Sequence, residues 1–138
     1  MRVLILHLAE PKMIEWARSL QGALQNEKCQ VDLVDTNHSG GAPISTAPYG
    51  LVLIMTTFRG FWRPIIPIAI DNLIKRCTRL EGRKGAALVV NRFNSGKAVR
   101  FLMHLMEVQG MMVMDFAVIR SPKDFPNLAK QLAKIGAY

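Results

Sequence analysis

The chain has 138 residues, half of them apolar, which is enough for one hydrophobic core and too little for two domains of ordinary size. Its formal net charge of +8 favours anionic partners, but does not choose among nucleotides, nucleic acids and acidic proteins. The two cysteines and three histidines have no metal-ligand or redox spacing, so we expect no bound metal.

The apolar segments are too short for a membrane span. The first of them, residues 3–9, has the length of a strand, whereas a transmembrane helix needs about 20 consecutive apolar residues. Only one basic residue precedes it, and no convincing signal-peptide cleavage site follows it. We therefore predict a cytoplasmic protein with no membrane partner.

Five segments are predicted to be strands, because each is a short run of mainly apolar residues. In chain order they are residues 2–8, 30–34, 51–56, 86–90 and 111–119. Runs that are apolar on both faces are typical of strands in a parallel sheet that helices cover.

Four segments are predicted to be amphipathic helices, since their apolar residues recur at three- and four-residue spacing. The first follows Pro11, a residue favoured in a first helical turn. The second carries its apolar face from Ile66 to Cys77. The third ends at Gly110, in the position that a left-handed cap requires, and Asp124 caps the fourth.

The alternation of strands and helices predicts an α/β fold, a three-layer doubly wound five-stranded parallel sheet. Ligands of such sheets bind outside the carboxyl ends of the strands, near the point where the strand order reverses. The stretch Thr-Thr-Phe-Arg-Gly-Phe-Trp-Arg-Pro, residues 56–64, follows the third predicted strand. Its aromatic and cationic residues make it the candidate functional site.

Two loops in this order of elements resemble the NADPH-dependent FMN reductase family of the flavodoxin-like fold. In that family the third strand leads into a Pro-Thr-aromatic-Gly-x-x-Pro loop and a helix ending in Asp-Arg. Here the similar segments are Met-Thr-Thr-Phe-Arg-Gly-Phe-Trp-Arg-Pro at 55–64 and Asp-Asn-Leu-Ile-Lys-Arg at 71–76. The family's later turn and fifth strand are similar to Val-Val-Asn-Arg-Phe-Asn-Ser-Gly at 89–96 and Gly-Met-Met-Val at 110–113. The resemblance spans nearly the whole chain and implies a single flavodoxin-like domain, residues 1–138.

The resemblance implies an FMN site in which the flavin ring lies between two loops. Aromatic side chains stack on a flat ring, and glycine lets backbone amides approach its heteroatoms. The first wall would be Thr56, Thr57, Phe58, Arg59, Gly60, Phe61 and Trp62. The second would be Asn91, Arg92, Phe93, Asn94, Ser95 and Gly96. Ala9 and Lys12 belong to the first loop, where the family binds the FMN phosphate.

The first loop departs from the family's phosphate loop. The family uses hydroxyl side chains and backbone N–H groups at a helix N-terminus to hold the anion. Here residues 8–12 are Leu-Ala-Glu-Pro-Lys, with an acidic Glu10 that repels phosphate and a Pro11 that has no N–H to donate. Lys12 supplies only a point charge. Any of three arginines is a candidate to bind the phosphate instead: Arg59, Arg63 or Arg92.

Two functions stay open. In the first, the protein is an FMN-binding NAD(P)H-dependent oxidoreductase, in which the cofactor carries the hydride and no catalytic side chain is needed. In the second, the domain has lost its flavin and acts as a protein-interaction or regulatory module. Its partner would be an acidic protein, in view of the basic charge, bound through aromatic and arginine residues of the kind enriched at binding hot spots. A third interpretation is structural, with Phe58, Phe61 and Trp62 covering the end of the sheet.

Further partners follow less directly. The apolar tract Phe-Leu-Met-His-Leu-Met at 101–106 suits a homodimer contact and equally suits a core helix. Nucleic acid is disfavoured, because the chain has no recognised nucleic-acid-binding motif. His7, at the end of the first strand, is expected to be a buried histidine that makes a hydrogen bond.

Overall fold

The computed structural model describes residues 1–38 and 41–136, and it has an α/β architecture. The strands are β1 (Arg2–His7), β2 (Gln30–Asp35), β3 (Ile44–Ser45), β4 (Leu51–Thr56), β5 (Cys77–Thr78), β6 (Lys84–Val90) and β7 (Met112–Ile119). The helices are α1 (Pro11–Asn26), α2 (Ile68–Arg76), α3 (Ser95–Val108) and α4 (Phe125–Gly136), and a short 3-10 helix (Pro122–Asp124) precedes α4. Within residues 1–38 and 41–136, no helix is long and apolar enough to cross a membrane.

Five strands form one parallel sheet in the order β2-β1-β4-β6-β7. The helix α1 packs against α4. With this strand order, the right-handed rule for crossovers between parallel strands assigns α2 and α3 to the opposite face. The predicted three-layer, doubly wound five-stranded parallel sheet is thereby confirmed.

The hydrophobic core is centred on the inner strands of the sheet. All six residues of β4 are buried, because helices cover both faces of this strand and β1 and β6 flank it. Trp16 of α1 and Phe125 of α4 meet edge to face, with ring centroids 6.1 Å apart, and join the two helices on one face of the sheet.

The second predicted helix is shorter in the structure. It begins at Ile68, after Pro67, and ends at Arg76. The prediction that placed Cys77 on its apolar face was wrong, because Cys77 has extended backbone and belongs to β5, which pairs with β3. Two-residue strands carry no periodic pattern, so this small second sheet could not be read from the sequence.

The start of the last helix also differs. Ser121, not Asp124, accepts the capping hydrogen bond, from the Lys123 N–H, and Asp124 lies inside the 3-10 turn that Ser121 begins. Gly110 has φ +86° after α3, as the left-handed cap predicted.

The tract predicted as a dimer contact serves mainly the core. Leu102 and Met106 are fully buried, and Met103 and Leu105 are partly buried against the core cluster. Phe101 keeps 43% of its surface exposed. Most of the apolar area in this tract is therefore already used inside the molecule.

Candidate functional site

Three loops meet at the carboxyl end of the sheet. They follow the adjacent strands β1, β4 and β6. The strand order reverses between β1 and β4, because the connection after β1 leads to one edge of the sheet and the connection after β4 leads to the other. The three loops therefore surround the switch point at which such sheets bind their ligands.

The loop after β4 folds into a tight hairpin. Its ends are joined by two backbone hydrogen bonds, from Arg59 N–H to the Ile65 carbonyl (3.0 Å) and from Ile65 N–H to the Arg59 carbonyl (2.7 Å). Gly60 has φ +93°, and a Cβ at this position would overlap the Arg63 carbonyl oxygen. The turn therefore requires glycine, for its left-handed backbone and for the close approach of Arg63.

The loop after β6 braces this hairpin. The Asn94 side-chain amide donates to the carbonyls of Phe61 (3.4 Å) and Trp62 (3.3 Å). The Arg92 guanidinium donates to the Phe58 carbonyl at 2.6 Å and lies over the Phe58 ring, 5.6 Å from its centroid. Side chains of the loop after β6 thus hold the hairpin in place.

Three aromatic side chains adjoin at the surface where the loops meet. Phe61 and Phe93 stack with their centroids 4.4 Å apart and their planes 12° apart, and Trp62 contacts both rings edge to face. Phe61, Trp62 and Phe93 remain 59%, 74% and 58% exposed. We call this cluster of Phe61, Trp62 and Phe93 the aromatic tip.

The cations around the tip have different roles. Arg92 is committed to the Phe58 carbonyl. Arg59 and Arg63 are exposed, and within the described part of the chain their side chains form neither a hydrogen bond nor an ion pair. These two guanidinium groups are the ones available to an anionic partner. Lys12 instead places its ammonium 4.6 Å from the Trp16 ring centroid, on α1.

The loop after β1 does not fit a phosphate group. Glu10 occupies the N-cap position of α1 without a side-chain capping bond, and Pro11 follows it. The Ala9 N–H, one of the donors in this loop, is already bonded to the Thr36 hydroxyl at 2.9 Å. An anion here would meet the Glu10 carboxylate, and neither the Ala9 N–H nor Pro11, which has no N–H, would be free to donate to it.

Several residues of the predicted flavin walls contact other parts of the protein. Phe58 is 1% exposed and belongs to the core, so its ring is not a ligand-facing wall. Thr56 is also buried, and its hydroxyl donates to the Thr57 carbonyl at 2.8 Å. Because Phe61 and Phe93 come from the two predicted walls and stack directly on each other, a ring enters between these loops only if that stack opens.

Most of the remaining predicted residues form hydrogen bonds within the loop after β6. The Ser95 hydroxyl donates to the Asn91 amide oxygen at 3.3 Å, and the Ser95 N–H donates to the Arg92 carbonyl at 3.0 Å. Asn94 has φ +68° as the N-cap of α3, and Gly96 is exposed. His7 is buried, and its Nδ1 lies 3.0 Å from the Leu8 carbonyl oxygen, as predicted for a hydrogen-bonded histidine.

A groove beside the aromatic tip was not predicted. Its volume is about 440 Å³, and it lies between the loop after β1, the base of the hairpin and the start of α2. Ile65 and Ile68 line it and are 62% and 75% exposed. Neither isoleucine was among the residues of the predicted helical face, and only the hairpin, which Gly60 and Pro64 could have indicated, reveals them.

Within residues 1–38 and 41–136, no group of three histidine, cysteine or acidic side chains is arranged to hold a metal ion. Among the described residues of the three loops, the side-chain hydrogen bonds do not link an acid, a base and a nucleophile. What the loops offer is a braced aromatic surface with two free arginines and an adjoining groove.

No protein-family model and no curated protein sequence matches this chain. Solved structures do match it. The two-electron reduced flavodoxin of Megasphaera elsdenii superposes with a TM-score of 0.76 at 16% identity, over 98% of each chain. Oxidised flavodoxin 1 from Bacillus cereus gives a TM-score of 0.70 at 14% identity, over 99% of this chain and 97% of that one.

The general stress protein 14 of Treponema denticola, solved in complex with FMN, gives a TM-score of 0.63 at 11% identity over 99% of each chain. The chain has the flavodoxin-like fold. At these identities, the similarity to solved structures shows the fold alone. Which ligand the chain binds depends on its own loops.

Proposed function

We propose that this chain is a protein-binding module of the flavodoxin-like fold, and that its aromatic tip docks an acidic segment of another protein. The observation that carries the proposal is the exposure of three adjoining large aromatic side chains at the end of the sheet. Contiguous exposed apolar surface commonly marks an interaction site, and tryptophan and arginine are enriched at binding hot spots.

The rigidity of the tip supports a docking role. The hairpin is closed by two backbone hydrogen bonds, and Asn94 holds the carbonyls of Phe61 and Trp62. A surface that is already ordered loses less conformational entropy on binding, so more of its contact energy appears as affinity.

The charge of the tip selects an acidic partner. Arg59 and Arg63 have no ion pair among the described residues, and the chain has a net charge of +8. Complementary charge raises the association rate and disfavours basic partners. Guanidinium groups beside exposed rings therefore favour a segment that presents carboxylates.

An FMN-binding NAD(P)H-dependent oxidoreductase is the second candidate. It is favoured by the likeness to flavodoxins and to a protein solved with FMN. For FMN to bind, the stacked Phe61 and Phe93 would have to separate, and Arg59 or Arg63 would have to hold the phosphate in place of the first loop.

The proposed function is tested with two synthetic peptides of equal length, titrated into the protein by calorimetry. One consists of glutamate and leucine, and the other has every glutamate replaced by lysine. We expect the acidic peptide to bind, with an affinity that falls as salt is added, because its ion pairs with the arginines are solvent-exposed. Trp62→Ala should weaken this binding by about tenfold or more, as truncation of a central aromatic residue does at hot spots.

The matched control is Phe116→Ala, since Phe116 is 55% exposed on the edge strand β7 rather than at the tip. It should leave the affinity unchanged. The proposal is contradicted if neither peptide binds, or if the lysine peptide binds as well as the acidic one. Tighter binding of a single-stranded oligothymidine than of the acidic peptide would also contradict it. So would an unchanged affinity in a Trp62→Ala variant that unfolds at the wild-type temperature.

The second candidate is tested separately by adding the protein to FMN and recording flavin fluorescence. The docking proposal expects no quenching. Quenching that Trp62→Ala or Phe93→Ala reduces would favour the oxidoreductase instead.

A further inference from the structure

We infer that the partner's segment carries aliphatic as well as acidic residues, and that one aliphatic side chain enters the groove beside the aromatic tip. This inference rests on the proposed function, because it takes the tip as the surface on which the acidic residues dock. It assigns the groove to the same partner.

The groove and the tip share one residue. Arg59 lines the groove, and it is also the first residue of the hairpin whose far end presents Phe61 and Trp62. A segment whose carboxylate meets Arg59 is therefore already at the mouth of the groove. Continuity of the two surfaces through Arg59 makes a single occupant the simplest arrangement.

The most exposed apolar residues of the groove are two isoleucines. Ile65 and Ile68 are more exposed than almost all other aliphatic side chains in the described residues, and Leu8 and Pro67 lie deeper. Removing this aliphatic surface from water favours an apolar occupant. A volume of about 440 Å³ lies within the range of ordinary ligand pockets, so it accepts a leucine-sized side chain with neighbouring backbone.

Glu10 orients the occupant. It lies on the wall formed by the loop after β1, while Arg59 lies on the wall formed by the hairpin. A partner carboxylate is attracted to the hairpin side and repelled from the Glu10 side. The acidic residues are thereby kept near the tip, and the aliphatic side chain is the part that enters the groove.

The inference is tested by comparing the glutamate–leucine peptide with a third peptide in which every leucine is replaced by serine. The leucine peptide should bind about tenfold more tightly, which corresponds to burial of one aliphatic side chain. Ile68→Ser should remove most of this difference and leave the affinity for the serine peptide unchanged, because Ile68 does not belong to the tip.

The matched control is Val108→Ser. Val108 is 65% exposed, similar to the groove residues, but it ends α3 at the opposite end of the sheet. This variant should keep the full difference between the two acidic peptides.

The outcomes separate the two proposals. If the leucine and serine peptides bind equally well, the groove assignment is wrong while docking at the tip stands. An equal loss for both peptides in Ile68→Ser would also overturn it, because the isoleucine would then affect the tip and not a distinct subsite. If neither acidic peptide binds, the proposed function itself fails.

Discussion

Single residues at the carboxyl end of the sheet differ sharply in the exposed fraction of their side chains. Phe58, Phe61 and Phe93 have the same side chain, yet Phe58 is in the core and the other two are at the surface. Loops have no periodic pattern, so nothing in the sequence distinguishes these phenylalanines. The structural interpretation of the aromatics was therefore right for Phe58, whereas Phe61 and Trp62 are exposed.

Cys77 provides a prediction at this scale. Burial raises the pKa of its thiol to about 11, and its Sγ lies 3.5 Å from the Leu73 carbonyl. The pKa of Cys77 in the folded protein lies above that of an unfolded cysteine, so the neutral thiol stabilises the fold at neutral pH. This contribution is lost as pH rises from about 8.5 towards the pKa in the folded protein. We expect slow alkylation of Cys77 by iodoacetamide in the native protein.

The measurement uses Cys29→Ser, so that mass spectrometry reports Cys77 alone. Labelling should stay slow at a pH at which the same variant, unfolded in urea, is alkylated quickly, since only the thiolate reacts. Equal rates for the folded and unfolded variant would show that the fold neither shields the Cys77 thiol nor raises its pKa.

At the scale of elements, the long strands were predictable, and the contacts that brace the hairpin were not. Burial on both faces gives β1, β4 and β6 continuous apolar runs, which the sequence displays directly. The bracing of the hairpin depends instead on the hydrogen bonds from Asn94 to Phe61 and Trp62, more than thirty positions away in the chain. Such contacts have no local sequence signal, so the predicted flavin walls could not be recognised as touching each other.

Gly60→Ala tests the hairpin. A methyl group would collide with the Arg63 carbonyl, and alanine would have to adopt φ +93°. We expect a loss of about 1–3 kcal/mol in the free energy of unfolding, measured with urea, because strained backbone of this kind costs that much. The affinity for the acidic peptide should fall as well, since the tip would be displaced.

Gly22→Ala is the matched control. Gly22 lies inside α1, and an added Cβ would have no atom within 4 Å. Alanine in a helix interior is favoured over glycine by roughly 0.5–1 kcal/mol, so this variant should be slightly more stable. If Gly60→Ala behaves like Gly22→Ala, the hairpin is not the strained turn described above.

At the scale of the whole molecule, the fold could be predicted from the sequence, whereas the ligand could not. The order of strands and helices was predictable, because the hydrophobic pattern determines which segments form the sheet and right-handed crossovers restrict how they connect. The same fold nevertheless hosts different ligands, since the loops at the strand ends define the site. Here those loops place Glu10 at the N-cap of α1 and stack Phe61 on Phe93.

Nuclear magnetic resonance locates the surface of the protein on which the acidic peptide docks. Backbone amide shifts of the ¹⁵N-labelled protein are followed while the glutamate–leucine peptide is added. We predict that the largest changes fall in residues 57–69 and 91–96, which form the hairpin, the groove and the bracing loop. Changes concentrated at the opposite end of the sheet, around Val108 and Lys84, would contradict the account.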